Sequence, residues 1–228
     1  MTGLIETRLN RRAIVLGGGA TLVALIGPGC SSVPGFDLTE AVRRLLLVSS
    51  ENAFARLLQP GGFWDEQVGQ LGLERLLGSR NTVLTRVLTS DVVKRRVEAS
   101  FADVAIEGSR RAAPVVTEAV RLIGFENAVD IVRGGPRAAT EALRGELGGR
   151  LIDELVPKLS QVIQLSSDPL IAQTLGTSMG ADISDVVQRL AGNIEEAIWD
   201  QMGLEEEQIR ANPQSTGDPV LIGVFGLT

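Results

Sequence analysis

The stretch Asp182-Ile183-Ser184-Asp185-Val186-Val187-Gln188-Arg189-Leu190-Ala191-Gly192-Asn193-Ile194-Glu195-Glu196-Ala197-Ile198-Trp199-Asp200-Gln201-Met202 repeats an apolar side chain at every third or fourth position. Ile183, Val187, Leu190, Ile194, Ile198 and Met202 form the repeat, and Asp185, Gln188, Glu195 and Glu196 fall on the opposite face. At about 3.6 residues per turn, that spacing gathers the apolar groups into one stripe that a helix buries against its neighbours. A strand needs alternation with a period of two, and no part of the chain sustains it.

Working outward, the same logic recurs. On the amino-terminal side, Asp168-Pro169 opens a short segment and Gly176–Gly180 reads as a loop. Pro136 suits the start of a long helix carrying Leu143, Leu147, Leu151, Leu155 and Leu159, which Pro157 should kink or end. Phe125–Val132 fits a short helix closed by Gly134-Gly135. Asn81–Ile123 keeps a helical pattern, with Thr89 or Ser90 able to cap one helix and Pro114 placed to start another. Trp64–Leu77 is a glycine-interrupted helical stretch. Asp37 stands three residues before Glu40, as in a capping box, and opens a helix that Pro60-Gly61-Gly62 stops. On the carboxyl side, Leu204–Arg210 adds a helical turn or two, Asn212–Pro219 is a polar loop and Val220–Phe225 is short and apolar. The expectation is an all-α, single-domain helical bundle of roughly seven to nine helices over residues 37–228.

Residues 1–29 read as a signal peptide. Arg8, Arg11 and Arg12 precede an apolar run from Ala13 to Ile26, and Gly27-Pro28-Gly29 supply small residues for cleavage. As a helix, that run spans about 21 Å, short of the roughly 30 Å hydrocarbon core of a bilayer. Asn10–Leu16, with the export pair Arg11 and Arg12, resembles a twin-arginine signal but has Asn10 where Ser or Thr is usual. Cys30 stands where a bacterial lipoprotein carries its acylated cysteine, and residues 30–36 read as lipidated cysteine and tether. Gly29 fits the lipobox, while Gly27 and Pro28 depart from it. The plainer alternative is an unmodified cysteine beside an ordinary cleavage site. Lipidation places the protein in the periplasm, anchored to a membrane. Ser31, standing where Asp would retain it at the inner membrane, favours the outer one.

The chain carries a net charge of −6. Loss of residues 1–29 removes three basic residues and one acidic residue, leaving 19 basic against 27 acidic and a net charge of −8. Such a chain repels phosphate backbones, so nucleic acid is not an expected partner. There is no His and no Tyr, and Cys30 is the only Cys. Imidazole acid–base chemistry, Ser–His–Asp triads, a Cys nucleophile in the mature chain and the usual zinc sites are excluded with them. No cofactor or metal is expected, and no residue stands out as catalytic.

Three blocks resemble the bacterial DUF4197 family of unknown function. The first runs from Thr39-Glu40-Ala41-Val42 through Leu57 to Gly61-Gly62-Phe63. The second joins Glu107-Gly108-Ser109-Arg110-Arg111-Ala112-Ala113-Pro114 to Phe125-Glu126-Asn127-Ala128-Val129-Asp130-Ile131-Val132-Arg133-Gly134-Gly135-Pro136-Arg137-Ala138-Ala139-Thr140. The third pairs Glu205-Glu206 and Ile209-Arg210 with Val224-Phe225-Gly226. The resemblance implies an exported helical domain and no known reaction. This chain has Pro136 after the paired glycines, where the family usually has Asp, and Leu143-Arg144 where an aromatic-Arg pair is usual.

Arg110, Arg111, Arg133, Gly134, Gly135 and Arg137 make up the candidate interaction surface. Gly134-Gly135 could cradle an anion at the next helix start, with Arg133 and Arg137 beside it; the plainer reading is a helix stop followed by a proline-initiated helix. Glu205-Glu206-Glu207 with Asp200 reads as a solvated acidic helix start rather than a carboxylate metal site, because adjacent helical residues face different ways. Trp64 and Trp199 read as core wedges. The expected function is an exported, lipid-anchored, non-enzymatic binding or interaction module of the envelope, with the membrane and an envelope protein as partners. The alternatives are a carrier of an apolar ligand between helices, or a carboxylate-based, metal-dependent enzyme in which at least two of Asp103, Glu107, Glu126 and Asp130 converge in one cleft.

Overall fold

A computed structural model describes residues 37–71, 91–165 and 183–226. Among these are eight α-helices, one 3-10 turn and no strand. They are α1 (Leu38–Leu57), α2 (Phe63–Leu71), α3 (Asp91–Leu122), α4 (Ala128–Arg133), α5 (Ala138–Leu147), α6 (Arg150–Leu165), α7 (Ile183–Ala211) and α8 (Pro219–Phe225), with the 3-10 turn Pro213–Thr216 between the last two. The described residues form a single all-α domain. Cys30, Arg11, Arg12, the Thr89 or Ser90 cap, the segment opened by Asp168-Pro169 and the loop Gly176–Gly180 lie outside the described residues. No described helix is long and apolar enough to cross a membrane.

Four helices close the core into a ring. α1 packs on α7, α7 on α6, α6 on α3, and α3 back on α1. The stripe that decided the fold fills its centre: Val187, Leu190, Ile194, Ile198 and Met202 are all buried. They meet Leu45, Leu46 and Leu57 of α1, Phe101 and Ala105 of α3, and Leu151, Leu155 and Leu159 of α6 in one hydrophobic core. Each such side chain contributes about 1.5–3 kcal/mol by leaving water. α2 lies against α3, α5 against α7, and α8 returns to α1.

At the start of α1, Asp37 accepts the backbone N–H groups of Thr39 at 2.9 Å and Glu40 at 3.4 Å. That is half of the expected capping box. Glu40 instead accepts from Arg43 and Arg44, each at 2.9 Å.

Three expected breaks are absent and one unexpected break is present. Pro114 and Pro157 sit inside α3 and α6, and neither starts nor ends a helix. Both are exposed, as are Arg110 and Asp153 four residues before them, so each freed carbonyl lies on the solvent face. The buried Leu155, Leu159 and Ile163 hold α6 across Pro157. α7 runs through Gly203 to Ala211 as one helix of 29 residues. Conversely, the leucine run from Leu143 to Leu159 is cut at Gly148. Its φ of +51° lies where side chains crowd the backbone, and α5 ends there. Pro136 does not begin α5. It occupies a turn closed by the Ala138 N–H donating to the Gly135 carbonyl at 3.1 Å, and α5 begins at Ala138.

Candidate functional site

The charged centre of the domain is a clasp built by α7. Glu206 is fully buried, with 0% exposure, and Arg210 lies one turn later on the same face. Arg210 Nε donates to Glu206 Oε1 at 2.8 Å. The same carboxylate accepts the first-turn N–H groups of α5: Ala139 N–H at 2.9 Å on Oε1 and Thr140 N–H at 2.7 Å on Oε2. Thr140 Oγ1 donates a third bond at 2.7 Å. The Arg210 guanidinium donates to the carbonyls of Ile131 and Val132, both at 3.0 Å, at the end of α4. Its other face lies 4.8 Å from the centre of the Phe225 ring on α8.

The polarity of the clasp follows from helix electrostatics. The carboxylate meets the positive N-terminal end of α5, and the guanidinium meets the negative C-terminal end of α4. One i,i+4 pair thus satisfies orphan donors of one helix and orphan acceptors of another. Gly134 sits within this turn because a Cβ there would lie 2.7 Å from Ala138 Cβ and 2.9 Å from the Asp130 carbonyl oxygen. A Cβ on Gly135 would meet nothing within 4 Å.

The helix start at which an anion could have been cradled is occupied by the chain's own Glu206, and Gly134-Gly135 end α4 as the plainer reading had it. The solvated acidic run is also corrected: Glu205 and Glu206 are buried mid-helix and only Glu207 is exposed. Glu205 turns to α1, where Asn52 Nδ2 donates to it at 3.2 Å and Arg56 Nε lies 3.0 Å away. Arg137 lies across Gly203 and reaches Glu207 at 3.4 Å and Asp200 at 3.9 Å. Arg133 is exposed. Arg110 and Arg111 lie elsewhere, on α3, where both pair with Glu107, Arg111 at 2.8 Å. The six residues of the expected surface thus fall into two sets with different partners.

Between Glu107 and Arg110, two small residues seat the helix. A Cβ on Gly108 would meet Ile194 Cδ1 at 2.6 Å and Leu159 Cδ2 at 2.9 Å, so α3 crosses α7 and α6 at this point. Ser109 Oγ accepts from Trp64 Nε1 at 3.1 Å and donates to the Ala105 carbonyl at 2.9 Å. Trp64 and Trp199 are buried wedges, as read from the sequence, and Trp199 Nε1 donates to Glu195 at 3.2 Å. The carboxylate cleft has no geometric basis: Asp103, Glu126 and Asp130 are exposed and Glu107 is held by two arginines. Among the described residues no group of three or more acidic, His or Cys side chains could hold a metal.

The family model described as "Protein of unknown function (DUF4197)" matches residues 32–226. The chain belongs to the DUF4197 family. No curated protein and no solved structure matches it. In this DUF4197 domain, the blocks that carried the resemblance converge in space. Val132–Thr140 from the second block meets Glu206, Arg210 and Phe225 from the third in the clasp. The first block joins through Glu205 to Arg56.

Two surface grooves lie among the described residues. One, of about 350 Å³, lies between α2 and α7 and is lined by Phe63, Trp64, Arg137, Glu196, Asp200 and Leu204. The other, of about 600 Å³, lies where α3, α5 and α6 meet. Its apolar lining is Val115, Ala119, Leu122, Ile123 and Leu147. Its rim carries Glu118, Glu146, Asp153 and Glu154 against the single cation Arg150. Leu122 stands 75% exposed at its edge. Sequence reading missed this groove because its lining comes from three helices, and the apolar pattern of each one alone reads as core.

Proposed function

We propose that this DUF4197 protein is an exported binding module, held in the periplasm by acyl chains on Cys30, that engages an envelope protein without catalysing a reaction. The observation that carries the binding role is the groove at the end of α3: an exposed Leu122 over apolar side chains, ringed by carboxylates. Exposed apolar surface with a polar rim is characteristic of interaction sites. The non-catalytic reading is supported by what the buried charges do: Glu205, Glu206 and Arg210 are occupied in joining helices. The address rests on Arg11, Arg12, the run Ala13–Ile26 and Cys30.

Two measurements test this function. Mass spectrometry of the mature amino terminus should find a diacylated or triacylated Cys30; cleavage elsewhere with a free thiol would refute the anchor. Leu122→Asp in the full chain should leave helicity unchanged and abolish recovery of envelope proteins after cross-linking. Undiminished recovery would remove the groove from the function.

The alternative, a carrier of an apolar ligand, draws on the groove's volume, which exceeds the roughly 300 Å³ at which small-molecule sites begin. The charged rim and exposed edge argue against it. Native mass spectrometry of the purified chain with no bound lipid would end that reading.

A further inference from the structure

Three large apolar side chains are exposed among the described residues, and two of them, Val92 and Leu122, stand at opposite ends of α3. Their surroundings carry opposite charge. Val92, 68% exposed, is followed by the exposed cations Lys94, Arg95 and Arg96, with Asp91 as the nearby anion and Lys94 lying 3.8 Å from Glu98. Leu122 is surrounded by Glu118, Glu146, Asp153 and Glu154, of which Glu154 pairs with Lys158 at 3.2 Å, against the cations Arg150 and the adjacent, exposed Arg121. Helix dipoles strengthen the contrast. The amino-terminal end of α3 adds positive charge beside Val92, and the carboxyl-terminal ends of α3 and α5 add negative charge beside Leu122 and Leu147, which the amino-terminal end of α6 at Arg150 offsets in part.

We propose that the groove at the carboxyl end of α3 receives the amino-terminal end of α3 from a second copy of the chain. Val92 seats beside Leu122, and Arg95 and Arg96, three and four residues later on the same helix face, meet Glu118, Glu146 and Asp153. This deepens the binding-module reading and rests on it, naming the occupant of the same groove. The two patches cannot meet within one copy, because the helix separates them by about 45 Å at 1.5 Å per residue. Contact between unlike patches is head-to-tail, so copies form a ring or an open row rather than a closed two-fold dimer. A contact this small is weak in solution. An acyl anchor offsets that by confining copies to a membrane surface and raising their effective concentration.

The test is photo-cross-linking in the full chain, in its native cells, from a benzophenone side chain at position 122, with the cross-linked peptide read by mass spectrometry. The expected product joins position 122 to the peptide containing Val92–Arg96 of another copy, shown by two differently tagged copies. Reversing Arg95 and Arg96 to Glu should lower its yield roughly tenfold, as expected when two partly screened attractions become repulsions. Adding Glu118→Lys, Glu146→Lys and Asp153→Lys should restore it, which a variant that merely misfolds cannot do. Cross-links to other proteins alone overturn self-association and leave the binding surface standing. Cross-links between copies that ignore both charge reversals overturn the proposed pairing. No cross-link of any kind overturns the proposal together with the binding-module reading.

Discussion

Glu206 shows how much one side chain can organise. Ile194, Ile198, Met202 and Glu206 follow one another at intervals of four, so the carboxylate occupies the next place on the buried stripe of α7. That register was legible in the sequence, and a charge on an apolar stripe is a sign of a buried polar partner. What could not be read was the partner, because the N–H groups of Ala139 and Thr140 come from a helix 66–67 residues away. Removing Glu206 leaves Arg210 nearly buried and opposes nothing to the first-turn donors of α5. Loss of one member of a buried pair costs about 3–5 kcal/mol. In a domain of this size, that lowers the midpoint of thermal unfolding by about 10 °C. Glu206→Ala should show this drop by circular dichroism. Glu206→Gln should not rescue it, since its amide can present only one acceptor where Glu206 offers two. Arg210→Ala should be similarly costly, and the double variant should cost clearly less than the two single losses combined. Additive losses would mean that the two residues do not act as a pair.

At the scale of elements, helix type was legible throughout the described chain, and helix ends only in part: Asp37 and Pro60-Gly61-Gly62 bound α1 as read, but later ends did not follow the local signals. Periodicity reports which face is buried, and that signal continues smoothly through Pro114, Pro157 and Gly203, where neighbouring contacts outweigh the local preference to stop. It also continues across Gly148, where the chain does stop, because the leucines on either side face the same core. Gly148→Ala forces a side chain into a backbone region reserved for glycine and should cost about 1–3 kcal/mol. In the α4–α5 turn, Gly134→Ala should also cost about 1–3 kcal/mol, because the added methyl meets the Asp130 carbonyl and Ala138 rather than a flexible chain end. Gly135→Ala should change stability by no more than about 0.5 kcal/mol. Urea unfolding checks all three through the midpoint, with the slope unchanged. Equal effects at Gly134 and Gly135 would mean that the turn is not packed as described.

For the whole molecule, a helical bundle could be anticipated from apolar stripes alone, whereas the order in which four helices close the ring, and the fastenings between its ends, depend on which residues meet across the sequence. Arg44 of α1 joins Glu40 at 2.9 Å to Asp218 at 3.0 Å, and Asp218 caps α8 through the N–H groups of Val220 at 2.7 Å and Leu221 at 3.3 Å. The pair Arg44–Asp218 spans 174 residues of sequence and ties α8 to α1. Hydrogen bonds from Arg44 and then Arg43 hold the Glu40 carboxyl below its ordinary range. Burial pushes Asp218 up, but Arg44 and the two capping N–H groups outweigh it and hold it low as well. Hydrogen bonds to Glu40 first, and then to Asp218, raise Arg44. A carboxyl depressed in the fold binds its proton more readily in the unfolded chain, so its stabilisation is complete above the unfolded value of about pH 4 and disappears as the pH falls through the folded value. Stability should therefore be level at neutral pH and decline below about pH 4. Arg44→Met removes the shared cation, keeps an apolar stem, and should flatten part of that decline while lowering stability at neutral pH only modestly, because the groups are partly exposed and screened by salt. Urea midpoints of the two proteins between pH 3 and 7 measure the difference, which should shrink toward pH 3. A difference that stays constant across that range would show that Arg44 contributes through packing and not through the two carboxylates.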